Sequence, residues 1–168
     1  MKVLLINGSP HEKGCTYTAL SLIAGELKAQ GIETEILHVG GQPVGGCIGC
    51  GGCRSGNGCV FGGVVNEAIE KAKTADALCV RQPGALCIRI RQHDQLHGPP
   101  CLRGRQISGL QAAAICCSAR RAGTTTTLDQ LVKYPQFFHM PLVERLLLGH
   151  GAAALTPSRC CRMPRAAP

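Results

Sequence analysis

The stretch Lys2-Val3-Leu4-Leu5-Ile6-Asn7-Gly8-Ser9-Pro10-His11-Glu12-Lys13-Gly14-Cys15-Thr16-Tyr17-Thr18-Ala19-Leu20 decides the fold. Lys2 to Ile6 is a short apolar run, as a buried parallel strand requires. Asn7-Gly8-Ser9-Pro10 breaks it with turn-forming residues. From Thr16 to Gln30, Leu20, Ile23, Ala24 and Leu27 recur at helical spacing, and Gly31 is placed to stop the helix. Working outward, Ile32 to Val39 alternates, with Ile32, Thr34, Ile36 and His38 on one side of a second strand. Residues 40–63 form a Gly- and Cys-rich loop, Val64 to Lys73 reads as a helix, and Ala75 to Leu78 begins a third strand. This alternation predicts an α/β sheet with right-handed crossovers. The pattern is lost from Cys79 to about Gln111. It returns with a fourth strand over Ala112–Cys117, a helix over Thr126–Lys133 and a fifth strand opening at Met140–Val143. After Glu144 it is lost again.

Composition bounds the rest. A chain of 168 residues with 45% hydrophobic and 17% charged residues fits one domain, 1–168, with a packed core rather than a disordered chain. No apolar run approaches the roughly 20 residues that cross a bilayer, and the N-terminal run is too short for a secretory segment. A cytoplasmic protein is therefore expected. The absence of a repeat excludes collagen-like and mucin-like chains, and length with no signal excludes a disulfide-stapled mini-protein. The net charge of +8 first suggests an anionic partner. Its distribution argues otherwise. Residues 79–110 and 144–168 hold nine Arg against Asp94 and Glu144, leaving +1 for everything else. Those stretches carry no aromatic residue and no clean period, so neither nucleic acid nor membrane is expected as a partner.

Two loops carry candidate chemistry. Gly8 to Thr18 joins the first strand to the first helix, at the carboxyl end of the sheet where open α/β folds bind ligands. A helix N-terminus offers unpaired N–H groups and a positive dipole end to an anion. Ser9, Thr16 and Thr18 add hydroxyls, and Gly8 and Gly14 permit close approach. The stretch is neither a dinucleotide fingerprint nor a Walker loop. An ordinary turn with Thr16 as N-cap uses the same residue types, and spacing alone leaves both readings open. The second loop has Cys47, Cys50, Cys53 and Cys59 in a C-x2-C-x2-C-x5-C pattern. Such spacing lets one loop present several thiolates to an iron-sulfur cluster, with zinc and unligated thiols as alternatives. Cys116-Cys117 is expected to pack as small core residues. Cys15 borders the first loop at a helix start, where a thiol pKa falls.

The run Leu4-Leu5-Ile6-Asn7-Gly8-Ser9-Pro10, followed by Gly14-Cys15-Thr16-Tyr17-Thr18-Ala19-Leu20, resembles the opening of the flavodoxin-like NAD(P)H-dependent FMN reductases and iron-sulfur flavoproteins. The resemblance covers residues 1–78 and about 112–143. It implies a flavodoxin-like doubly wound parallel sheet in three α/β/α layers, incomplete after residue 78 and after residue 143. It further implies that Ser9, Pro10, His11, Gly14, Cys15, Thr16, Tyr17 and Thr18 surround the FMN phosphate. Ser118-Ala119-Arg120-Arg121-Ala122-Gly123-Thr124-Thr125 resembles the family's loop beside the flavin ring, which adds Ser118, Arg120, Arg121 and Gly123 to the cofactor site. A solvated basic pair is the alternative for Arg120-Arg121. The Cys loop resembles the 4Fe-4S motif of the iron-sulfur flavoproteins. The activity implied is transfer of a hydride from NAD(P)H to FMN and of electrons onward to a small-molecule acceptor. No side chain is assigned a catalytic role, because the cofactor carries the chemistry. A homo-oligomer is implied. A Cys-loop metal or redox module without flavin turnover is the alternative.

The family expects a Gly-Ser-Pro-Val-aromatic loop after the third strand, where this chain has Cys79-Val80-Arg81-Gln82-Pro83-Gly84. Reading the permitted codons of residues 79–110 in a shifted frame allows V-F-G-S-P-V-H-Y. Shifts within 144–168 allow S-G-Y-Y-W-A-M-V and an acidic helical tail. These readings would supply the missing loop and aromatics, and would account for the Arg and Cys excess. The two stretches are therefore expected to be out of the ancestral frame, with lineage-specific divergence as the alternative. Weak FMN binding and reduced stability follow as expectations, because a lost strand-helix pair exposes the sheet. The gene's nucleotides decide: codons incompatible with the shifted readings end the idea.

Overall fold

The structure is a computed structural model that describes residues 1–39, 41, 48–52, 58–84, 112–119, 123–137 and 139–148. Strand β1 (Lys2–Asn7) leads to helix α1 (Cys15–Ala29) and strand β2 (Glu33–His38). Helix α2 (Gly63–Lys73), strand β3 (Ala77–Gly84), strand β4 (Ala112–Ala119), helix α3 (Thr124–Phe137) and strand β5 (Leu142–Leu148) follow. All five strands are parallel, in the order β2-β1-β3-β4-β5. The order reverses direction at β1, which places the switch point between β1 and β3. One irregularity interrupts the ladder between β4 and β5, at Ala113/Ala114.

The alternating side chains of β1 divide the core. Val3 and Leu5 pack with Leu20 and Ala24 of α1 and with Cys79 of β3. Leu4 and Ile6 face the opposite way, against Val65, Ala68, Ile69 and Ala72 of α2 and Val80 of β3. Ile115 and Cys117 continue that second face against Leu128, Leu131 and Val132 of α3. Helix α1 therefore covers one side of the sheet, and α2 and α3 cover the other. Leu4, Leu5 and Leu20 have no solvent exposure, and burying each such side chain is worth about 1.5–3 kcal/mol. Cys116 and Cys117 are both buried, as small core residues should be.

The expected three-layer, doubly wound fold is present, with three corrections of detail. First, the sheet is not broken at the two pattern losses. β3 continues from Ala77 through Gly84 and β5 runs on to Leu148, so each strand crosses the point where periodicity failed. The ladder with β4 explains this. Register pairs run unbroken from Ala77↔Ala112 to Gly84↔Ala119, and backbone pairing needs no side-chain pattern. Residues 85–111 and 149–168 lie outside the described residues. Second, α1 starts one residue earlier than read, so Gly14 is the N-cap and Thr16 is a buried residue of the first turn. Third, α3 extends beyond Thr126–Lys133 at both ends. Gly123, at φ 92°, opens it. Pro135 lies inside it, and the helix ends two residues later, with the Met140 N–H donating back to the Pro135 carbonyl at 2.9 Å.

Candidate functional site at the carboxyl edge of the sheet

Because every strand is parallel, the loops after β1, β3 and β4 emerge at one edge of the sheet. The loop after β1 is the best defined of them. Asn7, the last residue of β1, is completely buried and organises it. Its side-chain Oδ1 accepts the Ser9 N–H at 3.0 Å, and its Nδ2 donates to the Glu12 carbonyl at 3.1 Å. Ser9, also buried, accepts the His11 N–H on Oγ at 3.2 Å. The chain thus folds through two successive side-chain turns, which is what Asn and Ser do after a strand. Gly8 donates to the Arg81 carbonyl at 3.0 Å, which ties the loop to β3.

A second strand holds the loop from the other side. His38 ends β2, in register with Asn7. Its Nε2–H donates to the Ser9 carbonyl at 2.8 Å, the only role a ring nitrogen can take toward a carbonyl. Gly41 lies against this ring. A Cβ there would come within 3.1 Å of His38 Cε1.

The loop ends at the start of α1, and no side chain caps that start. The helix also has no acidic residue in its first turn. Among the described residues, neither a capping side chain nor a first-turn acid offsets the positive end of α1, and such an end favours an anion. Of the expected phosphate residues, Gly14, Cys15, Thr16, Tyr17 and Thr18 lie at this helix start, and Ser9 is in the loop leading to it. Pro10 and His11 are exposed at its rim. Thr18 is directed elsewhere: its Oγ1 donates to the Gly14 carbonyl at 3.3 Å, one turn back. Backbone N–H groups at the start of α1 and the nearby hydroxyl residues Ser9 and Thr16 are donors of the chemical kind that a phosphate monoester requires.

The loop after β4 is described only in part. Arg120 and Arg121 lie outside the described residues, and Ser118 falls within β4. Gly123 accepts both the Thr127 N–H, at 3.1 Å, and the Thr127 hydroxyl, at 2.8 Å, which fixes the start of α3. In the cysteine loop, Cys47 and Cys53 lie outside the described residues. Cys50 is exposed, between Gly49 (φ 70°) and Gly51 (φ 74°), a backbone shape that glycine adopts without strain. Cys59 is half-buried, and Asn66 of α2 clamps its backbone. The amide oxygen accepts the Cys59 N–H at 2.7 Å, and the amide nitrogen donates to the Cys59 carbonyl at 3.2 Å. Among the described residues, no three His, Cys, Asp or Glu side chains converge to hold a metal. The thiolate donor set suits an iron-sulfur cluster chemically.

Four residues escaped the sequence reading: Asn7, His38, Asn66 and Arg81. An Asn that ends an apolar run before Gly-Ser is a signal for a turn anchor, and Asn7 could have been found that way. His38 becomes visible only once β2 is paired with β1. Nothing local marks Asn66. Arg81 lay in the stretch set aside as out of frame.

A parallel five-stranded α/β sheet in the order 2-1-3-4-5, with a pinned loop and an uncapped helix at its switch point, defines a flavodoxin-like protein. Residues 1–83, just under half of the chain, match the NADPH-dependent FMN reductase family. The match ends within β3. An iron-sulfur flavoprotein of Methanocaldococcus jannaschii is 28% identical over 135 residues, which is 78% of this chain and 69% of that protein. One of Archaeoglobus fulgidus is 37% identical over 83 residues, which is 49% of this chain and 40% of that protein. The chain thus spans well under half of the second relative's length. Among solved structures, an NADH:FMN oxidoreductase in its apo form superposes with a TM-score of 0.67 at 15% identity, covering 92% of this chain and 78% of that one. Oxidised flavodoxin 1 from Bacillus cereus gives 0.60 at 15% identity, covering 89% and 84%. These similarities show the fold. Among the described residues, no helix is long and apolar enough to cross a membrane.

Proposed function

We propose that the protein is an FMN-dependent NAD(P)H oxidoreductase, which reduces a small-molecule electron acceptor and works as a homo-oligomer. The observation that carries this reading is the loop of residues 8–14, pinned by Asn7 and His38 and leading into an α1 N-terminus that no side chain caps. Bound there, FMN supplies the two-electron chemistry. The chain's own residues bind and orient. Backbone N–H groups at Cys15 and Thr16 face the phosphate, and the Ser9 and Thr16 hydroxyls add donors. Arg120 and Arg121 bring positive charge to the loop after β4, toward the reduced ring or the nicotinamide phosphate. Cys47, Cys50, Cys53 and Cys59 hold a 4Fe-4S cluster, in keeping with the relatives named iron-sulfur flavoproteins.

The test is FMN and iron quantitation on protein saturated with FMN and gel-filtered, beside a frame-restored chain. The frame-restored chain is expected to retain the flavin absorbance bands and the original chain to retain less. A colourless frame-restored chain contradicts the flavin reading. Iron with the absorbance of a cluster, and no flavin in either chain, favours the metal-binding redox module instead.

A further inference from the structure

Arg81 is a buried cation that has no counter-charge among the described residues. It sits in β3, in register with Asn7 of β1 and Cys116 of β4. Only 3% of its surface is exposed, and neither Nε nor Nη1 has a hydrogen-bond partner. It lies on the α1 side of the sheet, two residues beyond Cys79, which packs on Leu20 and Ala24. The titratable groups nearest it are thiols, Cys116, Cys79, Cys117 and Cys15, which are neutral and offer no counter-charge; Cys15 is the first residue of α1. Among the described residues, no carboxylate forms an ion pair with it. Burial alone pushes the guanidinium pKa down from its ordinary value, yet arginine stays protonated in proteins. Leaving such a charge unpaired in the interior is strongly destabilising.

Two features converge on this guanidinium. The Arg81 carbonyl accepts the Gly8 N–H, so the backbone of β3 is fastened to the anion loop. The side chain stands in register with Asn7, whose amide shapes residues 9–12 of the loop that enters the uncapped helix start. The orphaned N–H groups on Nε and Nη1 and the positive end of α1 are therefore both tied to the same loop, one through the register with Asn7 and the Gly8 bond, the other as the element that the loop enters. No other described charge offsets either of them.

We infer that Arg81 is a ligand of the bound anion: its guanidinium supplies, from beneath, the counter-charge for a phosphate monoester held at the start of α1. Arginine is the side chain suited to this, because its planar fork matches phosphate oxygens and is weakly hydrated. The anion in turn satisfies the buried cation. The inference rests on the phosphate reading of the loop for the identity of its ligand. It adds a residue that the Gly-Ser-Pro-type loop expected at this position would not provide.

The consequence is a pair of effects with opposite signs. Replacing Arg81 by Met removes an unpaired buried charge and should raise the melting temperature of the protein in anion-poor buffer. The same change should abolish the stabilisation that inorganic phosphate gives the unaltered protein. Arg81→Lys keeps the charge, loses the fork, and should retain part of the phosphate effect. The probe is inorganic phosphate, titrated at constant ionic strength with chloride as the control, and read by thermal unfolding. In parallel, the ratio of riboflavin to FMN dissociation constants is measured. It isolates the phosphate contribution and should fall by roughly tenfold or more in Arg81→Met, with riboflavin affinity unchanged. An equal phosphate-induced shift in the unaltered protein and Arg81→Met overturns the inference while leaving the flavin reading intact. Phosphate without effect on the unaltered protein also overturns the inference, and the flavin reading then stands or falls separately on the frame-restored chain.

Discussion

At the residue scale, Asn7 does more than end a strand. Its amide spends one donor and one acceptor on the loop that it precedes, in a site closed to water. Truncation to Ala loses both bonds and leaves the Ser9 N–H to find a new partner. Each bond is worth about 1 kcal/mol, so Asn7→Ala should destabilise the protein by about 2 kcal/mol in urea unfolding. Asn7 was legible in part, as a turn former at the end of an apolar run. The closing of the loop by His38 was not legible, because it depends on which strand lies beside β1. A buried arginine was illegible for a different reason: charge in a strand reads as a broken pattern, and periodicity carries no signal for a side chain whose partner is not yet in place.

At the element scale, glycines separate two situations that sequence treats alike. Gly58 has φ 79°, and a Cβ there would stand 2.8 Å from Asn66 Oδ1, the atom that holds the Cys59 N–H. Gly25 lies in α1 with nothing within 4 Å of an added Cβ. Gly58→Ala should cost more than 1 kcal/mol, about the price of a left-handed Cβ plus displacement of the clamp. Gly25→Ala should stabilise by about 0.5–1 kcal/mol through helix propensity. Thermal unfolding of the two variants checks both signs. The helices and strands themselves were readable wherever periodicity was intact, to within one or two residues. The ends of β3 and β5 were not, because they are held by ladder hydrogen bonds to β4 rather than by their own alternation. Helix α3 outran its pattern because Gly123 and Pro135, rather than apolar spacing, set its limits.

At the scale of the whole molecule, pH probes two sets of groups. Hydrogen bonds from Lys2 and then Lys71, which also form its ion pairs, hold the Glu35 carboxyl below its ordinary value. A depressed carboxyl stabilises the fold above the unfolded-state pKa, and that contribution is lost as pH falls through the folded value. Glu35→Gln should therefore lower stability at pH 7, by less than about 1 kcal/mol because the pair is solvent-screened, and should match the parent in strong acid. On the alkaline side the sign reverses. The Cys79 thiol is raised far above its usual range by its hydrogen bond with Cys116, then by burial, and burial raises Cys117. Raised thiols stabilise below the unfolded-state value of about 8.5, and the contribution declines as pH climbs beyond it. Melting temperatures of the reduced protein should fall above about pH 8.5, and less steeply in the double variant Cys79→Ala/Cys117→Ala.

The anchor strand of the anion loop lies inside the sheet, flanked by β2 and β3, with buried residues facing both helical layers. A strand so enclosed cannot fray alone. Amide protons of Leu4, Leu5 and Ile6 should thus exchange with deuterium only through cooperative opening of the whole sheet. The loop of residues 8–14 would then lose its shape in step with the last protected amides, not ahead of them, and the proposed hold on a phosphate with it.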